Sequence, residues 1–308
     1  MNPVFGRVVP AMVTPFHADG SLDTEGAQAL ACHLVEQGCD GLVLSGTTGE
    51  SPTTTDAEKD ALLRAVLEAV GDRAIVTAGV GSSDTRHTQE LARAAERAGA
   101  HGLLIVTPYY SKPSQEGIRQ HFTAVADSAS LPVMIYDIPG RTGTRLERET
   151  LLRLAEHPRI AAVKDASYDL AGSAQVIART ELDYYSGADE LNLPLYALGA
   201  VGAVSTVANV APHATRAILD AHTSGAASAA TRLNQQLLPL VEAMMSLAPG
   251  AVTAKALLRH EGLPAGPVRL PLLDADAGLT ATLSVALKEA LAPALRADRR
   301  AVRYAATP

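Results

Sequence analysis

The sequence predicts a closed (β/α)8 barrel of the TIM type with a C-terminal helical appendage, and three observations carry that prediction. Eight short, almost continuously apolar runs fall within about 210 residues of the 308-residue chain, and amphipathic stretches separate most of them. Runs starting at Gly41, Ala74, Gly102, Pro132 and Ile160 recur at the length of one strand-helix unit. Unbroken apolarity is what parallel strands covered on both faces require. Eight such units suit a closed barrel better than a doubly wound sheet.

The runs are taken in order. "RVVPAMVTPF" supplies the first strand, followed by "GLVLSG" from Gly41, "AIVTAGV" from Ala74 and "GLLIVTP" from Gly102. "PVMIYDIP" from Pro132, "IAAVKDA" from Ile160, "LDYYSGA" from Leu182 and "GAVSTVA" from Gly202 complete the set. The helical patterns "DTEGAQALACHLVEQG" and "DTRHTQELARAAERAG" each open on an aspartate start signal and close on a glycine. The last two runs lie closer together, so "DELNLPLYALG" has to form a short helix between them. Beyond Thr223 the pattern is helical only, which divides the chain into a barrel domain, 1–223, and a C-terminal helical region, 224–308. Gly/Pro-rich turns join the helices of that region, and the absence of a long linker implies that it packs on the barrel.

Composition narrows the function. With 26 basic against 33 acidic side chains, the net charge of −7 leaves no basic footprint for nucleic acid or an anionic membrane. The basic cluster Arg296–Arg300 reads as a solvated tail. The two cysteines, Cys32 and Cys39, form neither a disulfide framework nor a metal motif. No apolar stretch reaches the length of a membrane span or signal peptide, so the expectation is a soluble, cytoplasmic protein without metal.

In a barrel of this kind the active site lies at the carboxyl ends of the strands. Those ends carry Thr47 and Thr48, Tyr109 and Tyr110, Tyr136, Lys164 and Gly187. Singly, threonines favour turns, tyrosines fill cores and lysines cap strands. Convergence of several on one mouth is the stronger signal. Lys164 ends a run of small apolar residues, and burial there would favour its free amine. Such an amine can attack a ketone and form a Schiff base without metal or bound cofactor. The competing reading is an ion pair with Asp165, weakened because strand neighbours face opposite ways. Tyr136, one strand away, can relay protons. "LSGTTGES" is a glycine-punctuated turn able to hold a small carboxylate, and it lacks the Gly-Lys-Ser/Thr of a nucleotide loop. "AGVGSSD" reads as an ordinary strand-to-helix turn. Arg141, in the "IPGRTG" loop, offers a bidentate carboxylate grip or is simply solvated.

Together "AMVTPF", "GTTGES", "VTPYY", "YDIPGRTG", "VKDA", "YYSG" and "VSTVANV", in this order and spacing, resemble the class I aldolase/lyase superfamily of dihydrodipicolinate synthases and N-acetylneuraminate lyases. "GTTGE", the Tyr109–Tyr110 pair and Arg141 resemble the dihydrodipicolinate synthase family in particular. That resemblance implies condensation of pyruvate with L-aspartate 4-semialdehyde. Lys164 would form the Schiff base, and Tyr136 would relay protons with Thr47 and with Tyr110 from a neighbouring subunit. Thr48 would hold the pyruvate carboxylate, Arg141 the semialdehyde carboxylate, and the backbone at Gly187 and Val204 would line the pocket. A homotetramer built from tight dimers is implied as well. Two positions depart from the family pattern: Ala188 replaces an acidic residue, and Asp137 an asparagine. Matching the motifs of lysine-inhibited members places Asp56, Lys59, Ser83 and His87 where those members carry their histidine, asparagine and glutamate ligands. The alternatives are a sibling aldolase acting on a 2-keto acid such as 2-keto-3-deoxygluconate, and a silent barrel used for binding.

Overall fold

A computed structural model describes residues 3–292. The cluster Arg296–Arg300 and the end of the C-terminal helical region lie outside the described residues. The strands are β1 (Val8–Pro10), β2 (Gly41–Leu44), β3 (Ile75–Gly79), β4 (Gly102–Val106), β5 (Val133–Asp137), β6 (Ile160–Asp165), β7 (Asp183–Ser186) and β8 (Gly202–Ser205). All ladders are parallel, each strand from β2 to β8 pairs with its sequence neighbour, and β1 pairs with β8. A parallel bridge between Ala11 and Val43 closes the remaining gap between β1 and β2.

The helices in chain order are α1 (Thr24–Glu36), α2 (Asp56–Val70), α3 (Thr85–Ala98), α4 (Gln115–Asp127), α5 (Pro139–Thr142) and α6 (Arg148–Leu154). They continue as α7 (Leu170–Ile177), α8 (Asn192–Leu198), α9 (Pro212–Thr223), α10 (Ala227–Ser246), α11 (Gly250–His260) and α12 (Ala277–Leu291). The sequence signals work as expected. Asp23, Asp84 and Asp169 cap α1, α3 and α7 through their side chains, satisfying amides that a helix start leaves free. Thr55 and Glu58 form a reciprocal capping box on α2. The short helix expected between the last two strands is α8.

Strand alternation sorts the core into two layers. Outward residues such as Leu42, Val76, Leu103, Ile135 and Val163 pack under the helices. Inward residues, including Val9, Val43, Leu104, Met134, Ala162, Tyr185 and Val204, fill the barrel. Phe5 and Tyr185 meet edge to face at 6.3 Å inside it, and the Tyr185 hydroxyl donates to the Gly6 carbonyl at 2.8 Å.

The C-terminal helices lie on the barrel as expected, with α10 against α9 and α12. Residues 250–258 of α11 are all buried. One connection differs from the expectation of tight turns: between α11 and α12 an extended segment returns to the barrel mouth. There the Phe16 amide donates to the Ala265 carbonyl at 3.2 Å. Gly266 makes that approach possible, with φ of +66° and room for no Cβ: one would lie 1.7 Å from the Phe16 oxygen. Among the described residues no single helix is long and apolar enough to cross a membrane. Gly266→Ala should therefore destabilise the protein by more than about 1 kcal/mol, read as a lower denaturation midpoint at unchanged m-value. An unchanged midpoint would show that the segment can move away freely.

Candidate active site

The site begins with an irregularity in β6. Val133 pairs with Ile160 but Met134 pairs with Ala162, so Ala161 is an extra residue in the ladder. Ile160 and Val163 pack outward, Ala162 inward. Without the extra residue, simple alternation from Ile160 would turn Lys164 outward. With it, Lys164 points into the barrel at the register of Tyr136.

Asp165 consequently faces out. Its carboxylate accepts from the Ser167 amide at 2.7 Å, the Tyr184 hydroxyl at 2.8 Å and Ser173 Oγ. The Lys164–Asp165 ion pair weighed from the sequence does not form. Lys164 is 4% exposed, and its Nζ lies 4.0 Å above the centre of the Tyr136 ring. Burial lowers its pKa to about 7, with Arg141 acting in the same direction and Asp189 opposing. Gly187 permits this packing, because a Cβ there would lie 2.9 Å from Lys164 Cγ.

Tyr136 is buried, which pushes its phenol up to about 12 against the opposing influence of the Thr47 side chain and the Arg141 charge. Thr47 and Thr48 sit on the turn after β2. The turn holds its shape through the Glu50 amide on the Thr47 carbonyl at 3.1 Å and the Ser51 amide on the Gly46 carbonyl at 3.2 Å. Thr14 Oγ1 donates to the Gly49 carbonyl at 2.6 Å, and Thr48 Oγ1 lies 3.1 Å from Thr206 Oγ1 beyond β8.

A cavity of about 390 Å³ opens at this end of the barrel, lined by Thr47, Tyr109, Tyr110, Tyr136 and Arg141 among others. Lys164 and Thr48 are buried beside it, while Val204 lies within the inner core against β1 rather than on its wall. Arg141 is exposed and stands on α5, a one-turn helix, where the sequence suggested an open loop. Tyr110 is 93% exposed and held at φ +72°, a backbone conformation that bulky residues rarely adopt.

The sequence shows Asp189 only as the acid that follows Ala188, with no role assigned. Buried, it accepts from the Thr206 amide at 2.9 Å, the Val207 amide at 3.0 Å, Asn192 Nδ2 at 3.2 Å and Ser205 Oγ. It thereby ties the end of β7 to the end of β8 and is the carboxylate that supports the Lys164 charge. Its signal was an aspartate two residues beyond Gly187. Asp137, the other departure noted in the sequence, accepts from the Leu146 amide at 3.2 Å. Burial, reinforced by Asp165, pushes its carboxyl up to about 7.

The chain matches the dihydrodipicolinate synthetase family over residues 4–290. It is 63% identical to 4-hydroxy-tetrahydrodipicolinate synthase 1 of Streptomyces coelicolor over 291 residues, 94% of this chain and 95% of that protein. It is 61% identical over 279 residues to 4-hydroxy-tetrahydrodipicolinate synthase of Acidothermus cellulolyticus, covering 91% and 90% of the two chains. The structure of DHDPS from Cyanidioschyzon merolae with lysine bound superposes with a TM-score of 0.91 at 40% identity, over 94% of this chain and 99% of that one.

The free amine is the reactive form, and burial brings it into reach at lower pH. Competitive acetylation followed by peptide mapping should show Lys164 labelling rising through a pH near 7 and then levelling. Exposed lysines should keep rising toward about pH 10.4. A Lys164 profile that tracks the exposed lysines would contradict the dry environment described here.

Proposed function

This chain belongs to the dihydrodipicolinate synthetase family, and we propose that its barrel mouth condenses pyruvate with L-aspartate 4-semialdehyde to give 4-hydroxy-tetrahydrodipicolinate. The single observation that carries the reading is the lysine amine held in the barrel interior against the face of Tyr136. Lys164 attacks the keto carbon of pyruvate, and water leaves as the imine forms. Loss of a methyl proton gives the enamine, which adds to the aldehyde of the second substrate. The amino group of that substrate then displaces Lys164 and closes the ring.

Each proton needs a carrier. Tyr136 takes this role, with Thr47 beside it and Tyr110 reaching in from a neighbouring subunit. The near-complete exposure of Tyr110 supports its use across an interface. Thr48 and the turn amides hold the pyruvate carboxylate, Gly187 leaves room for the imine, and the backbone at Val204 closes the floor. Arg141, at the cavity wall, grips the carboxylate of the semialdehyde. We propose a cytoplasmic homotetramer, a dimer of dimers, as the working form. The relatives favour this reading over the 2-keto-3-deoxygluconate aldolase alternative, and the retained Lys164, Tyr136 and Thr47 speak against a silent barrel.

Borohydride with pyruvate should add one reduced pyruvate at Lys164, seen by peptide mass. Arg141→Ala should keep that trapping yet lose about ten- to a hundredfold in kcat/KM for the semialdehyde, the worth of a charged hydrogen bond. Label on another peptide would refute the role of Lys164, and equal loss of trapping would refute the role of Arg141.

Lysine feedback should be weak. Asp56 is paired with His87 at 2.8 Å, and Lys59 donates to the Thr54 carbonyl, so a second ammonium would meet like charge and an occupied carboxylate. Losing one charge-assisted bond of about 1.5–3 kcal/mol weakens binding roughly ten- to a hundredfold. Millimolar L-lysine should leave turnover nearly unchanged, and half-inhibition well below that concentration would overturn the inference.

A further inference from the structure

We infer that Lys255 and Arg269, far from the strand ends in sequence, are positioning residues for the threonine turn: they hold Glu50, and through it Thr47 and Thr48. The inference rests on the proposed role of that turn in binding the pyruvate carboxylate. Glu50 closes the turn in a left-handed conformation, φ +54°, with its carboxylate buried. Lys255 Nζ lies 2.6 Å from Oε1, both side chains being at most 1% exposed. The Arg269 amide donates to Oε2 at 2.8 Å.

Both cations are fixed independently of Glu50. Lys255 Nζ donates to the Pro267 carbonyl at 2.7 Å and stands 4.1 Å from the Phe16 ring centre. The Arg269 guanidinium lies 4.0 Å from the same ring and donates to the Thr53 carbonyl at 2.8 Å and to Glu58 and Gly20. Glu50 is therefore set from the C-terminal region, and its amide carries that placement to the Thr47 carbonyl.

The same helix touches the other side of the turn. Gly250, at the start of α11, packs so closely on Thr206 that a Cβ would lie 3.0 Å from its Cγ2, and Thr206 is the hydroxyl partner of Thr48. Thus α11 braces the turn at two points, directly at Glu50 and through Thr206 at Thr48. Stability alone is a poor reason for the ion pair. Two buried charges recover their desolvation cost only with good geometry, and an apolar replacement is often as stable. Fixing a backbone to which substrate oxygen must bind is a role that an apolar pair cannot fill.

The test compares Lys255→Met, Glu50→Gln and the double variant with the wild type by melting temperature and steady-state kinetics. Pyruvate trapping by borohydride in the wild type serves as the control. Either single change leaves one buried partner unmatched and should lower the melting temperature. The double variant should regain most of it while its pyruvate KM stays about ten-fold raised, the equivalent of one charge-assisted hydrogen bond. Its KM for the semialdehyde should stay near the wild-type value. Recovery of pyruvate KM together with melting temperature would overturn the inference. Should the charge variants not fold, Gly250→Ala decides: without altering charge it should raise pyruvate KM, and wild-type KM would refute bracing by α11. Failure of the wild type to trap pyruvate would instead sink the proposed function.

Discussion

The constraint on which the barrel mouth depends is keeping one amine dry without handing it a carboxylate. An ammonium in a low-dielectric interior is expensive unless paired, and pairing would restore its high pKa and quench its nucleophilicity. The structure avoids both outcomes. Lys164 packs against the Tyr136 ring and the bare backbone of Gly187. A ring face tolerates a cation without neutralising it. Asp165 is turned away, and Asp189 is occupied by four donors of its own.

Three buried carboxylates flank the strand ends that carry that amine. Asp165 is anchored among Ser167, Ser173 and Tyr184 on the outer face of β6. Asp137, its register partner on β5, is pushed toward neutrality by burial and by Asp165. Asp189 locks the loop after β8, to which Thr48 is bonded through Thr206. Asp137, Asp165 and Asp189 each accept from a backbone amide, so all three fix chain geometry. Burial also keeps the Tyr136 phenol protonated across the neutral range.

Much of this was legible locally. Apolar runs gave the strands because a strand covered on both faces has no polar side, and aspartate and glycine marked helix ends because free amides and left-handed residues need them. Lys164 was conspicuous because a charge rarely ends a run of small apolar residues. Arg141 was placed near its position but in the wrong local structure: "IPGRTG" contains two glycines and a proline, yet closes into one helical turn stopped by Gly143. The positioning acids Glu50 and Asp189 were not legible as such, because a carboxylate on a turn usually means solvent. Their partners lie in other units of the barrel or beyond it.

What the sequence by itself determined was the order of strands and helices, the identity of the residues at the strand ends, and the chemistry open to them. These follow from interactions within a few residues, where periodicity and capping operate. Only the tertiary structure decided which way Lys164 points. Read by alternation from Ile160, it belongs to the outer face. The extra residue at Ala161, defined only by the ladder with β5, turns it inward. The bracing of the threonine turn from Lys255 and Arg269 was likewise decided only in three dimensions, by contacts spanning some 200 residues of chain. A strand's pattern records which side chains alternate. The face each one occupies is set by the partner strand, and the charge each buried group keeps is set by whatever closes over it.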